Sequence, residues 1–81
     1  MISQLKNEKK VVGVKQTRKA ILSGRAKTVF LACDADPAVT GPVEALCREQ
    51  DVPLECGVTM KELGSQCGIS VGAAAAALLR E

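Results

Sequence analysis

Two glycine-bearing turns hold the side chains best suited to chemistry. The first is Gly13-Val14-Lys15-Gln16-Thr17-Arg18-Lys19, a strand-to-helix turn whose helix opens with a cation and an amide and meets further cations one turn on. A helix start presents free backbone N–H groups and the positive end of the helix dipole, which suit phosphates and base acceptor atoms. In that first turn Gln16 offers a donor and an acceptor together, and Lys15 can donate to guanine O6 and N7. Lys19, one turn later, lies on the side of Lys15 and is within reach of a base or a phosphate. The second turn is Gly68-Ile69-Ser70-Val71-Gly72, an apolar loop fit to cover an unstacked base. By residue type alone, Ile69 and Val71 belong more often in a core. A third segment, Asp34-Ala35-Asp36-Pro37, pairs two carboxylates that could hold Mg²⁺, with no nucleophile near them in sequence.

Missing residue types narrow the function further. The 81 residues contain no His, Trp or Tyr, and Phe30 is the sole aromatic. The commonest general base and metal ligand is therefore absent, and a stacking platform for single-stranded nucleic acid lacks its rings. No enzyme is expected. Cys33, Cys47, Cys56 and Cys67 are spaced by 14, 9 and 11 positions with no C-x-x-C knuckle, so no metal or other cofactor is expected. They read as four small buried hydrophobes in a reducing cytoplasm. With 47% hydrophobic and 25% charged residues the chain has the composition of a soluble globular protein. No apolar run approaches the ~20 residues of a membrane span. Met1–Lys10 is charged where a secretory signal would be apolar. One small cytoplasmic domain over 1–81 is expected. A chain this short buries about 60–65% of its unfolded surface, which leaves little room for a large cleft beside a core.

The formal net charge of +2 conceals segregation. Residues 1–27 hold eight Lys and Arg against Glu8 alone, a net of +7, and residues 28–81 hold three against eight acids, a net of −5. A basic segment on a near-neutral chain suggests a local polyanion-binding face, the alternative being a solvated, lysine-rich terminus.

Those residues need elements to position them. Ser3 is a possible N-cap for a short helix through about Lys9, and Val11–Val14 reads as a strand end. Lys15–Ser23 reads as a helix stopped by Gly24, with Thr17, Ala20 and Ile21 on one face and Lys15, Arg18 and Lys19 on the other. Thr28–Cys33 is a continuous β-rich apolar run, as in a strand covered on both faces. The spacing predicts a helix over Gly41–Gln50, capped by Thr40 with Pro42 in its first turn, then a strand over Val52–Cys56. Thr59-Met60-Lys61-Glu62 has the form of a capping box, opening a helix that Gly68 should close, with Gly64 inside it a sign of close packing. Ala73–Leu79 is a helix by propensity, although the alternation of elements argues for a last strand. The pattern is that of an α/β chain.

In order along the chain, Gly13 with Lys15-Gln16-Thr17-x-Lys19, Ala32-Cys33-Asp34-Ala35-Asp36-Pro37, Leu63-Gly64-x-x-Cys67-Gly68 and Ile69-Ser70-Val71-Gly72-Ala73-Ala74 resemble the kink-turn-binding ribosomal protein family. That family includes archaeal large-subunit protein seven-Ae, protein thirty-e and short bacterial members, and the resemblance spans roughly Lys10 to Leu79. It implies a three-layer α/β/α sandwich with a four-stranded sheet and alternating helices, which makes Ala73–Leu79 a strand. It also implies binding, as a monomer, to kink-turn RNA: a bulge followed by tandem sheared G·A pairs, in ribosomal or other structured RNA, with neither DNA nor membrane as partner. By that resemblance Gly13, Lys15, Gln16 and Lys19, with Arg18 beside them, meet the G·A pairs. Asp36, Ile69, Ser70, Val71 and Gly72 face the bulge. An intact A-form major groove is too deep and narrow to read, so a kinked one is the kind a helix end can enter.

Archaeal members carry Asn-Glu where this chain has Lys15-Gln16. Gln16 keeps one carbonyl acceptor without the charge, and Lys15 can only donate. Short bacterial members are similar to this chain in having Lys-Gln there. The alternative function, also compatible with the fold, is a protein-interaction module within a larger ribonucleoprotein assembly.

Overall fold

A computed structural model of the chain describes residues 9–69 and 71–80. Strands and helices alternate: β1 (Lys10–Val12), α1 (Val14–Leu22), β2 (Ala26–Ala32), α2 (Pro37–Glu49), β3 (Leu54–Val58), α3 (Met60–Gln66) and β4 (Ala75–Leu79). The helix expected from Ser3 lies, but for Lys9, outside the described residues. In the sheet the strand order is β1-β4-β2-β3. β4 is antiparallel to both of its neighbours, and β2 is parallel to β3. β1, β2 and β3 therefore all run one way and β4 runs against them. Their carboxyl ends, the N-termini of α1, α2 and α3 and the segment entering β4 share one edge.

Side chains alternate across a strand, and here the alternation feeds two cores. Val29 and Leu31 of β2, with Ala75 and Ala77 of β4, pack against Ile21 of α1 and Val43 and Cys47 of α2. Phe30, Ala76 and Leu78 face the other way and meet Leu63 of α3. The molecule is thus a three-layer α/β/α sandwich, as the sequence implied, and β2 is the doubly covered strand read from its unbroken apolar run. A bulge at the start of β2, where Ala26 pairs with Leu79 and Thr28 with Leu78, returns Ala26 to the first core.

The alanine run is a strand despite its propensity. Ala75, Ala76 and Ala77 are wholly buried between β1 and β2. Two ladders of hydrogen bonds and burial on both faces outweigh a helix preference of a few tenths of a kcal/mol per residue. Small side chains on both faces let α1 and α3 approach the sheet closely.

Three expectations are corrected. α2 begins not after Thr40 but at Pro37, because Asp36 is the cap, its carboxylate accepting from the Ala38 N–H at 2.9 Å, and Pro37 fills the first-turn position suited to proline. Pro42 consequently sits inside the helix on its exposed side, so its missing donor strands a carbonyl that water can reach. β3 starts at Leu54 rather than Val52, since Pro53 has no N–H for a ladder. Finally, Cys33 and Cys56 are exposed and Cys67 is half-buried; Cys47 alone is a fully buried thiol. Burial, with Cys56 and Glu44 adding to it, pushes the Cys47 thiol up to about 11.

Two expectations about stability and reactivity follow from this packing. Thr17 is wholly buried on α1 and its hydroxyl has no hydrogen-bond partner among the described residues, so Thr17→Val should stabilise the fold by about 1 kcal/mol. Thermal unfolding should then shift upward by roughly 4–8 °C; a lower midpoint would mean that the hydroxyl is satisfied. In the folded protein, iodoacetamide followed by mass spectrometry should modify Cys33 and Cys56 well ahead of Cys47.

Candidate nucleic-acid interface

Three helix N-termini converge on the edge described above, and their ends differ. At α2, the Asp36 carboxylate covers the end. α3 is closed by a full capping box: Thr59 Oγ1 accepts from the Glu62 N–H at 3.1 Å, and Glu62 Oε1 accepts from the Thr59 N–H at 3.0 Å. Asp34, from the loop after β2, accepts the Met60 N–H at 2.7 Å. Of these three, α1 alone begins on a residue without a side-chain cap, Gly13. Its first intrahelical bond runs from the Thr17 N–H to the Gly13 carbonyl, so the N–H groups of Val14, Lys15 and Gln16 point out of the helix end. Gly13 sits at φ 103°, a conformation closed to most side chains, and its N–H donates to the Ala75 carbonyl at 2.8 Å. The bare helix end is thereby pinned to the first residue of β4.

The faces of α1 are those expected: Thr17, Ala20 and Ile21 are buried, and Lys15, Gln16, Arg18 and Lys19 are exposed. Gln16 and Lys19 line one hollow of about 270 Å³ together with Ser23 and Arg25. Arg18 lies roughly 200° around the helix from Gln16, on the other flank. Among the described residues the one ion pair is Arg48 with Glu44, at 2.7 Å, and it leaves the α1 cations without a carboxylate partner there.

The apolar loop enters β4 at the same edge. Ile69 and Val71 are 37% and 70% exposed, so the core placement favoured by residue type is overturned, and Ser70 lies outside the described residues. The loop's path is fixed by α3. The Ile69 N–H donates to the Gly64 carbonyl at 3.0 Å and the Ala73 N–H to the Met60 carbonyl at 3.0 Å. With the backbone tied inward, the two apolar side chains are held out in water. A Cβ on Gly64 would collide with the Val71 carbonyl, and one on Gly72 would come within 3.1 Å of Met60 Cβ. Gly64 is the close-packing glycine that the sequence suggested.

Gly13, Lys15, Gln16, Asp36, Ile69, Val71 and Gly72 therefore gather at one edge, whereas Lys19 lies in the last turn of α1, beside Ser23 and Arg25, and Arg18 is turned to a side. Asp34 and Asp36, candidates for Mg²⁺ in sequence, each hold a backbone N–H instead. Met60, bonded to the acidic loop through its N–H and to the apolar loop through its carbonyl, gave no signal in the sequence. Neither did the reach of Asp34 across 26 positions. Gly64→Ala should destabilise the protein by roughly 1–3 kcal/mol. Its amide shift changes should centre on 60–73; undisturbed Ile69 and Val71 amides would contradict the close packing.

The comparisons with known proteins agree with this architecture. Residues 2–81 match the model of the Ribosomal protein L7Ae/L30e/S12e/Gadd45 family. An RNA-binding protein of Caldanaerobacter subterraneus subsp. tengcongensis is 46% identical over 69 residues, covering 85% of this chain and 84% of that protein. RNA-binding protein YbxF of Geobacillus stearothermophilus is 46% identical over 70 residues, 86% of this chain and 85% of its own. Among solved structures, the Giardia lamblia 15.5kD RNA binding protein superposes with a TM-score of 0.87 at 23% identity, over 99% of this chain and 68% of that one. A Bacillus halodurans protein of unknown function gives 0.88 at 19% identity, over 98% and 83%. At these identities the two structures speak for the fold, while the family match and the closer relatives speak for descent. The chain belongs to the Ribosomal protein L7Ae/L30e/S12e/Gadd45 family.

Proposed function

We propose that this protein binds RNA without catalysing a reaction, and that its target is a kink-turn in ribosomal or other structured cytoplasmic RNA. One observation supports this above the rest: among the described residues the start of α1 is the helix end without a side-chain cap, its cations have no carboxylate partner, and it shares an edge with an exposed apolar loop. A kinked duplex opens its major groove beside a bulge, so it offers base edges and phosphates next to a base turned out of its stack. The start of α1 supplies backbone N–H groups, the Gln16 amide and the Lys15 ammonium group for the first, with Lys19 further along the same helix; Ile69 and Val71 supply apolar cover for the second. A carboxylate-capped end would repel phosphate, which is why the bare end of α1 is the one assigned to the groove. The 46%-identical relatives are named RNA-binding proteins, which favours this class of partner.

Exposed Val71 also fits a protein-docking patch within a ribonucleoprotein assembly, and RNA binding separates the two readings. In gel shifts, a kink-turn duplex should be retained at concentrations that leave a regular duplex of equal length free; equal retention would refute kink-turn recognition. If some three to five cations contact phosphates, log affinity should fall with log salt at a slope of roughly −3 to −4. Gln16→Ala should weaken kink-turn binding selectively. Lys27→Ala, which removes an exposed cation from the opposite end of the sheet, should change it little. Equal losses would reduce the protein to a general polyanion binder.

A further inference from the structure

We infer that Asp34 is a positioning residue that holds the apolar loop in shape through Met60. This rests on the proposed RNA-binding function only for its consequence in affinity. Asp34 lies in the turn after β2, where a carboxylate would ordinarily be solvated. Its Oδ1 accepts the Met60 N–H at 2.7 Å, a short, charge-assisted bond to the first residue of α3. The end of α3 is already served by Thr59 and Glu62, so this carboxylate is not needed to start the helix. What it adds is a link between two loops. The Met60 carbonyl accepts the Ala73 N–H at 3.0 Å, and the Met60 side chain lies where a Cβ on Gly72 would meet it. One peptide segment thus receives the acidic loop at its N–H and the apolar loop at its carbonyl. On the far side of the apolar loop, Gly64 leaves room for the Val71 carbonyl. Ile69 and Val71 are held out in water by backbone contacts rather than by burial of their own side chains. Loss of the Asp34 anchor therefore frees the loop without opening either core.

The sign of the effect on RNA binding separates this role from simple electrostatics. Asp34 is an exposed anion at the edge that meets a polyanion, so charge alone predicts that removing it tightens binding. Positioning predicts the reverse for Asp34→Ala. Asp34→Asn keeps an acceptor oxygen for the Met60 N–H and drops only the charge.

The test compares the three proteins by amide hydrogen exchange without RNA, and by titration with a kink-turn duplex. Asp34→Ala should accelerate exchange at Ala73 about tenfold while amides of β2 and β4 keep their protection. It should also weaken RNA binding roughly tenfold to a hundredfold, the effect of losing one hydrogen bond to a charged group. Asp34→Asn should keep the Ala73 protection and bind RNA at least as tightly as the parent. Unchanged Ala73 exchange in Asp34→Ala, or loosening as great in Asp34→Asn, would overturn the inference. Loosened Ala73 with undiminished RNA affinity would uphold the anchor and instead remove the apolar loop from the RNA interface.

Discussion

The insertion of β4, antiparallel, between β1 and β2 is the constraint from which the geometry of the site follows. It fixes the carboxyl ends of β1, β2 and β3 and the entry to β4 on a single edge. Each helix then starts at that edge with its positive dipole end, and the loop leading into β4 must pass beside the start of α1. The Gly13 N–H bond to the Ala75 carbonyl is the local expression of this arrangement. The alanines of β4 make the insertion feasible, because small residues on both faces allow a helix layer to close over each side of the sheet.

A second theme is the division of labour among three similar helix ends. A bare N-terminus attracts any anion, including the protein's own carboxylates. Asp36, Glu62 and Asp34 occupy the ends of α2 and α3, and the acidic balance of residues 28–81 places such groups close by. α1 lies in the basic stretch, and its glycine cap offers no side-chain acceptor. The charge segregation seen along the chain thus becomes selectivity among helix ends in space.

Much of this was legible in the sequence, and the failures are instructive. The amphipathic split of α1, the apolar run of β2 and the Thr59 capping box are local patterns, and each appears as read. The start of α2 was misplaced because Thr40-Gly41-Pro42 and Asp36-Pro37 both carry helix-start signals; Asp36-Pro37 won by seating proline at the first helical position. Ala73–Leu79 could not be settled locally, since its strand state comes from partners far away in the chain. Nor could exposure be read from residue type at Ile69 and Val71, or at Cys33 and Cys56, because loop path and strand edge decide it. The hold of Asp34 on Met60 is long-range, and no spacing rule announces it.

We propose that one edge of the molecule, bearing the uncapped start of α1 and the apolar loop together, is the surface that meets RNA. Amide chemical-shift mapping during titration with a kink-turn duplex tests it most directly. The largest perturbations should form two groups, at Gly13–Lys19 and at Gly68–Gly72, moving together with one apparent affinity. Perturbations concentrated instead at the start of β2 and the end of β4, on the opposite edge, would contradict it.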